Sequence, residues 1–385
     1  MRESVTRKIR IAKFTLAGYF NYGNVLQNYA LQQVLLRYAD KVDTIWLQPY
    51  NFLPEVWWKW RWKEYIKYLI NWRNYRMEIT NGHVGREMAR QTKIRDFSDR
   101  YISYRRIAPA NLAAQIKQYD CCIVGSDQVW NPYSDIYHQF FLGFVAEEKR
   151  SSYAASISAV DVPAKAHDAF VQGLKGMRTL SVREQAGANL IEQLTGRKAE
   201  VHVDPTLLLT ADEWRSVSRR PTWYHGGEYL LTYFLGRRPS QIDAIAKELG
   251  LEVVNLLDED VYEHYVTGVD EFLWAIDHAS LVYTDSFHGS VFSILFQTPF
   301  VVCDRYGTGK GDISEKMGSR LDTLLGYFGF QERRTNESKD YRIENPLQPP
   351  AWERCEPVLA RERARSDEYL RRVLGLNDGC LEKRL

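Results

Sequence analysis

Short apolar runs of strand length alternate along this chain with stretches whose apolar positions follow helical spacing, and that alternation predicts an α/β protein. Residues 9–15 read as the first strand, LAGYFNYGN as a Gly- and Asn-rich turn, and 25–38 as a helix. Further strands are expected at 43–48, 120–124, 152–156, 180–183 and 200–203. A second series then begins: strand 229–235, helix 239–249, strand 252–256 and helix 269–278. It ends in the stretch 279–303, where strand 280–284 leads through a small polar turn, 285–289, into helix 290–296 and strand 300–302. After Pro357 comes a charged amphipathic helix that Gly375 should end. A break falls near DPTLLLTADEW, or in the polar SVSRRPTWYHGGE after it. The expected organisation is an N-terminal domain over 1–215, a second domain over 225–345, and a C-terminal helical tail, 346–385, packing back on the first.

Composition changes this picture in one place. The 385 residues suit two domains, and 45% hydrophobic with 26% charged is ordinary for a globular chain. A net charge of +2 makes no general case for nucleic acid. The five cysteines, Cys121, Cys122, Cys303, Cys355 and Cys380, have the spacing of neither a disulfide framework nor a zinc site, so a reducing cytoplasm and no metal are expected. No signal peptide and no spanning run of roughly 18 apolar residues is read. The unusual figure is 13% aromatic. It is concentrated in an excursion over about 52–105, where WWKWRWKEYIKYLINWRNYRME (Trp57 to Glu78) interleaves five Trp and three Tyr with six basic and two acidic side chains. Such a segment suits a two-helix excursion packed on its own domain, and it can also sit at an anionic headgroup boundary, giving peripheral contact with the inner face of a membrane.

Three turns carry candidate chemistry. His288 stands where the helix after strand 280–284 begins, with Asp285, Ser286 and Gly289 around it. Helix starts attract phosphate and carboxylate, and an imidazole held there against an anion can deliver a proton; the same residues also suit a plain helix cap. The turn after the first strand offers Asn21, Tyr22, Gly23, Asn24 and Gln27, without GxGxxG or the GK[ST] of a P-loop. In GSDQVWNP, Asp127 and Gln128 lie at the carboxyl end of a strand, Asp127 as a group to activate a hydroxyl. Trp130 and Asn131 could form a sugar-holding wall there. Arg183 exits a strand toward the same side, and Arg305, Lys310 and Arg320 are further cations in or after DRYGTGKGD.

Taken together in this order, FNYGNVLQNYALQ, CCIVGSDQVWNP, YAASIS, LSVREQAG, VDPTLLL and TDSFHGSVFSILFQTPFVV resemble the polysaccharide pyruvyl transferase family over about residues 8–330. The resemblance implies two Rossmann-like domains facing across a cleft, GT-B-like, the first on the acceptor side and the second on the donor side. It implies transfer of the enolpyruvyl group of phosphoenolpyruvate onto two hydroxyls of a sugar in a surface or capsular polysaccharide, or on a lipid-linked intermediate. His288 carries over as the catalytic or donor-binding His and Arg183 as a donor-binding Arg; Ser286, Gly289, Lys310 and Arg305 join the donor side. Asn21, Tyr22, Asn24, Gln128, Trp130 and Asn131 fall on the acceptor side, with Asp127 as the second catalytic group. No cofactor beyond the donor, and no nucleic acid, is expected. Characterised members carry an Arg two positions before the His, where this chain has Ser286, so Lys310, Arg305 or Arg320 must supply that charge or the donor differs. Two other readings fit the same pattern: a GT-B-type glycosyltransferase using a nucleotide sugar, and a non-catalytic scaffold of a polysaccharide assembly complex.

Overall fold

The computed structural model describes residues 8–19, 21–47, 83–159, 161–305 and 318–376. The aromatic segment 57–78, the glycine loop 307–311 and Lys310 lie outside the described residues. In chain order the strands are β1 (Arg10–Phe14), β2 (Lys41–Leu47), β3 (Tyr104–Ile107), β4 (Cys121–Gly125), β5 (Arg150–Tyr153), β6 (Ser181–Val182), β7 (Glu200–Val201), β8 (Tyr229–Tyr233), β9 (Glu252–Asn255), β10 (Leu281–Thr284), β11 (Phe300–Cys303) and β12 (Arg334–Thr335). The helices that matter below are α1 (Tyr22–Leu36), α2 (His83–Tyr101), α3 (Val269–Asp277), α4 (Phe287–Phe296), α5 (Ser319–Phe328) and α6 (Cys355–Leu374).

Two all-parallel sheets result, ordered β3-β2-β1-β4-β5 and β12-β11-β10-β8-β9. Both are Rossmann-like. In each, the strand order reverses once, between β1 and β4 in the first half and between β8 and β10 in the second. Ligands of open α/β sheets bind outside the carboxyl ends of the strands at such a reversal. The FNYGN turn follows β1, GSDQ follows β4, and DSFHG follows β10, so the topology alone puts the three candidate turns at the two reversals.

The halves face each other through α1. Thirteen of its fifteen residues are buried, because it packs on its own sheet on one side and on the second half on the other. Tyr22 stacks on Phe272 at 4.7 Å, and its hydroxyl donates to the carbonyl of Thr267. Helix α2 adds a second tie, with Lys93 Nζ 2.8 Å from Glu271 and the Tyr265 hydroxyl donating to Glu87.

Three expectations change here. The first helix begins at Tyr22 rather than at residue 25, since Asn21 accepts from the Gly23 amide and caps it, turning Tyr22, Gly23 and Asn24 from loop into first turn. DPTLLLTADEW is buried structure rather than an exposed linker: Asp204 caps a short 3-10 turn, Thr210 and Glu213 form a capping box, and Trp214 is fully buried, its indole donating to Thr206. The C-terminal helix starts at Cys355, ahead of Pro357, and Gly375 ends it with φ +66°. It packs on the first half, Tyr369 donating to the Ser152 carbonyl, Tyr153 to Ser366, and Arg363 to the carbonyls of Leu207 and Leu209.

Candidate active site

Strand β10 ends in Thr284, and Ser286 then takes an extended conformation and caps α4, its hydroxyl accepting from the Gly289 amide. Gly289 is required by packing: a methyl group there would come within 2.7 Å of Thr284 Oγ1. Asp285 turns away to hold the exit of β8, accepting from the amides of Leu235 and Gly236 and from Arg305 Nε at 3.1 Å. Arg305 is thereby committed to its own half. His288 points the other way, toward the first half, and is 7% exposed.

What it meets is the start of α1. A methyl group on Gly23 would fall 2.0 Å from His288 Nδ1, so the two helix starts, one from each half, touch edge to edge. Their positive dipole ends therefore converge on one spot. On its far side, His288 Nε2 lies 3.6 Å from Asp204 Oδ1. Asp204 is fully buried and densely bonded: Oδ1 accepts from the amide and hydroxyl of Thr206, and Oδ2 from Ser126 and from Arg183 Nη1, both at 2.6 Å. Burial would raise its carboxyl, but the facing His288, with Arg183 and the Ser126 hydroxyl, overrides that and holds it well below the usual carboxylate range.

Arg183 leads from that pair to the GSDQ turn after β4. It is 3% exposed, lies over the Phe287 ring at 4.7 Å, and reaches Asp127 Oδ1 at 3.8 Å and Glu184 Oε2 at 3.9 Å. Asp127 takes a left-handed conformation, φ +60°, which Asp tolerates better than most residues and which aims its carboxylate back at Asn24, the donor of a 3.2 Å bond. Glu184 is consumed by the neighbouring backbone, accepting from the amides of Ile157 and Ser158 and from the Ser156 hydroxyl. Gln128, with its amide oxygen turned toward Arg320, accepts from both terminal nitrogens of that guanidinium at 3.0 Å.

His288, Arg183 and Asp127, chosen from the sequence, thus belong to one connected cluster built from both halves. Asn24 and Gln128 belong to it as well. Two acceptor-side expectations are corrected. Trp130 is fully buried, stacked on Phe141 with its indole donating to the Phe140 carbonyl, so it supports the loop from below rather than forming a wall. Tyr22 is likewise fully buried, in the contact between halves, with its hydroxyl already spent. Asn21 caps α1, and Asn131 accepts from the Tyr133 amide within its own turn. Sequence reasoning missed Asp204 and Glu184. Asp204 stands in VDPT as a residue before Pro at a turn, a cap pattern, and capping is one of its two jobs.

Two Rossmann-like domains facing across a cleft, with polar groups from both meeting at the junction, make this a GT-B-like protein. The chain belongs to the polysaccharide pyruvyl transferase family, whose model matches residues 21–306. It is therefore a transferase of polysaccharide biosynthesis. Comparison with curated proteins gives no match. Among solved structures it is similar to LpCGTa in complex with UDP, at 12% identity over 96% of this chain and 100% of that one, with a TM-score of 0.48. It is also similar to a UDP-GlcNAc 2-epimerase from Neisseria meningitidis, at 8% identity over 96% and 100%, TM-score 0.43. E. coli ADP-heptose lps heptosyltransferase II follows at 10% over 93% and 100%, TM-score 0.34. Among the described residues no helix is long and apolar enough to cross a membrane.

Proposed function

We propose that the chain transfers the enolpyruvyl group of phosphoenolpyruvate onto two hydroxyls of one sugar, forming a pyruvate ketal and releasing phosphate. C3 of the donor gains a proton and becomes a methyl; two C–O bonds form at C2 and the C2–O bond to phosphate breaks. The acceptor gives up two hydroxyl protons, which balance the one taken by C3 and the one that leaves with phosphate. His288 protonates C3, Asp127 takes the proton of the attacking hydroxyl, and Arg183 pairs with the donor's charge. The observation that supports this is the contact between halves: an imidazole from the second lies 3.6 Å from a buried carboxylate of the first, and that carboxylate is bonded to the arginine that reaches Asp127. Asp204 is a positioning residue, orienting the imidazole and the guanidinium together.

The acceptor is a hydroxyl pair on a sugar of a surface or capsular polysaccharide, including a lipid-linked intermediate. The Trp-rich basic stretch 57–78, judged by composition alone, would bring the enzyme to an anionic membrane carrying such a substrate. Incubation with phosphoenolpyruvate and lipid-linked or nucleotide-linked sugars should release phosphate and add the mass of a ketal. Failure to bind phosphoenolpyruvate by calorimetry, with no turnover across a broad acceptor panel, would overturn the proposal; release of free nucleotide instead would favour glycosyl transfer.

A further inference from the structure

Arg320 comes from α5, outside every motif that carried the family resemblance, yet its side chain ends at Gln128, in the same turn whose Asp127 Arg183 reaches. It is 8% exposed, and its Nε has no hydrogen bond; neither do Nε and Nη2 of Arg183. Burial and the adjoining Arg183 charge push Arg320 down to about 9, leaving it cationic at neutral pH in a place that disfavours a cation. The acids nearby are largely taken up: Asp204 by Thr206, Ser126 and Arg183, and Oε1 of Glu184 by three donors of the 156–158 turn. What remains without a hydrogen bond around the pair is Glu184 Oε2, 3.9 Å from Arg183 Nε, and four N–H positions: Nε of each guanidinium, Nη2 of Arg183 and His288 Nε2. A pocket in the second half is lined by Arg320, Arg305 and Arg334 together with Asp285, Asp304 and Phe287, the ring that Arg183 lies over.

We propose that Arg320 is a donor-binding residue, its guanidinium joining that of Arg183 to bracket an oxyanion of the donor, with Gln128 holding the fork in place. This rests on the phosphoenolpyruvate reading above. Two forks set against one small anion give these donors partners closer than Asp127 and Glu184, which stand 3.8 and 3.9 Å from Arg183, and they explain why two like charges are kept together out of water. Gln128, the neutral neighbour, fixes the orientation without competing for the charge.

The test measures phosphoenolpyruvate binding by calorimetry and KM for donor and acceptor separately. Loss of charge-assisted bonds predicts that Arg320→Ala binds phosphoenolpyruvate about 10- to 100-fold more weakly, with acceptor KM unchanged, and that Arg320→Lys recovers only part. Mass-spectrometric mapping of phenylglyoxal modification on the wild-type protein adds a reading independent of folding of the variants: phosphoenolpyruvate should protect Arg320 and the acceptor should not. Wild-type affinity in both variants, or modification of Arg320 unchanged by the donor, overturns the assignment. A wild-type protein that binds no phosphoenolpyruvate sinks the functional reading itself, so the two failures are distinguishable.

Discussion

Gly23→Ala is the sharpest probe of the junction, because residue 23 carries no functional group and acts only by being small. The added methyl would sit 2.0 Å from His288 Nδ1, 2.5 Å from Cγ and 2.7 Å from Cε1. Ordinary contact needs about 3.5 Å, so the ring edge must retreat by roughly 1.5 Å. Two neighbours oppose that movement: Asp204 is 3.6 Å from Nε2 on the far side, and the Phe287 ring stands edge-on at 5.2 Å. Either the imidazole rotates away from Asp204 or the halves move apart. Misplacing a catalytic group by an ångström can cost about 100-fold, or roughly 2.7 kcal/mol of barrier. Phosphate release with phosphoenolpyruvate and a competent acceptor should show kcat falling by that order, toward the value of His288→Ala. Urea unfolding should show a smaller penalty of about 1–3 kcal/mol from overpacking, partly offset by the better helix propensity of Ala. Wild-type kcat together with a wild-type unfolding midpoint would refute the reasoning, because the close approach would then have no consequence.

Two further predictions concern buried charge. Asp204→Asn removes the shortest of Arg183's three carboxylate contacts, the others being at 3.8 and 3.9 Å, and should lower stability by about 2–4 kcal/mol in urea melts; a loss under about 1 kcal/mol would remove the pair from the structural argument. The folded-state carboxyl of Asp204 is depressed, so its contribution is present above the ordinary value of 3.8 and fades as pH falls below it. His202, under the C-terminal helix, behaves differently. Burial first, then Arg365 and Arg372, push it down to about 4, while its Nδ1 meets the Ser181 hydroxyl and its ring packs on Tyr369 at 4.6 Å. The unfolded chain therefore takes up this proton first. Stability should decline as pH drops from about 6.5 toward 4, by roughly 3 kcal/mol in all, and level off below. Melting across that range should show a flatter profile for His202→Asn, and an identical slope would count against a neutral, buried imidazole.

Much of this protein can be read from local pattern. The strand and helix series, apart from β3 and β12, and the order of the motifs follow from apolar periodicity and turn chemistry, which act over a few residues. His288, Asp127 and Arg183 could be picked out because each exits an element where open sheets gather function. Residue types near those exits were harder. Trp130 and Tyr22 look the same in sequence whether they face a ligand or a core, and only packing showed both to be core.

The partnership across the halves was decided by tertiary structure alone. Asp204 and His288 are far apart in the chain, and no local signal distinguishes an Asp that caps a turn from one that also faces an imidazole. Arg320 is a basic residue at the start of an amphipathic helix until the second half is folded against the first, when burial strips its water and Arg183 becomes its neighbour. Local propensity sets which groups stand at the ends of strands; the desolvation and long-range contacts that give those groups their charge state and orientation exist only once two sheets have closed on one helix.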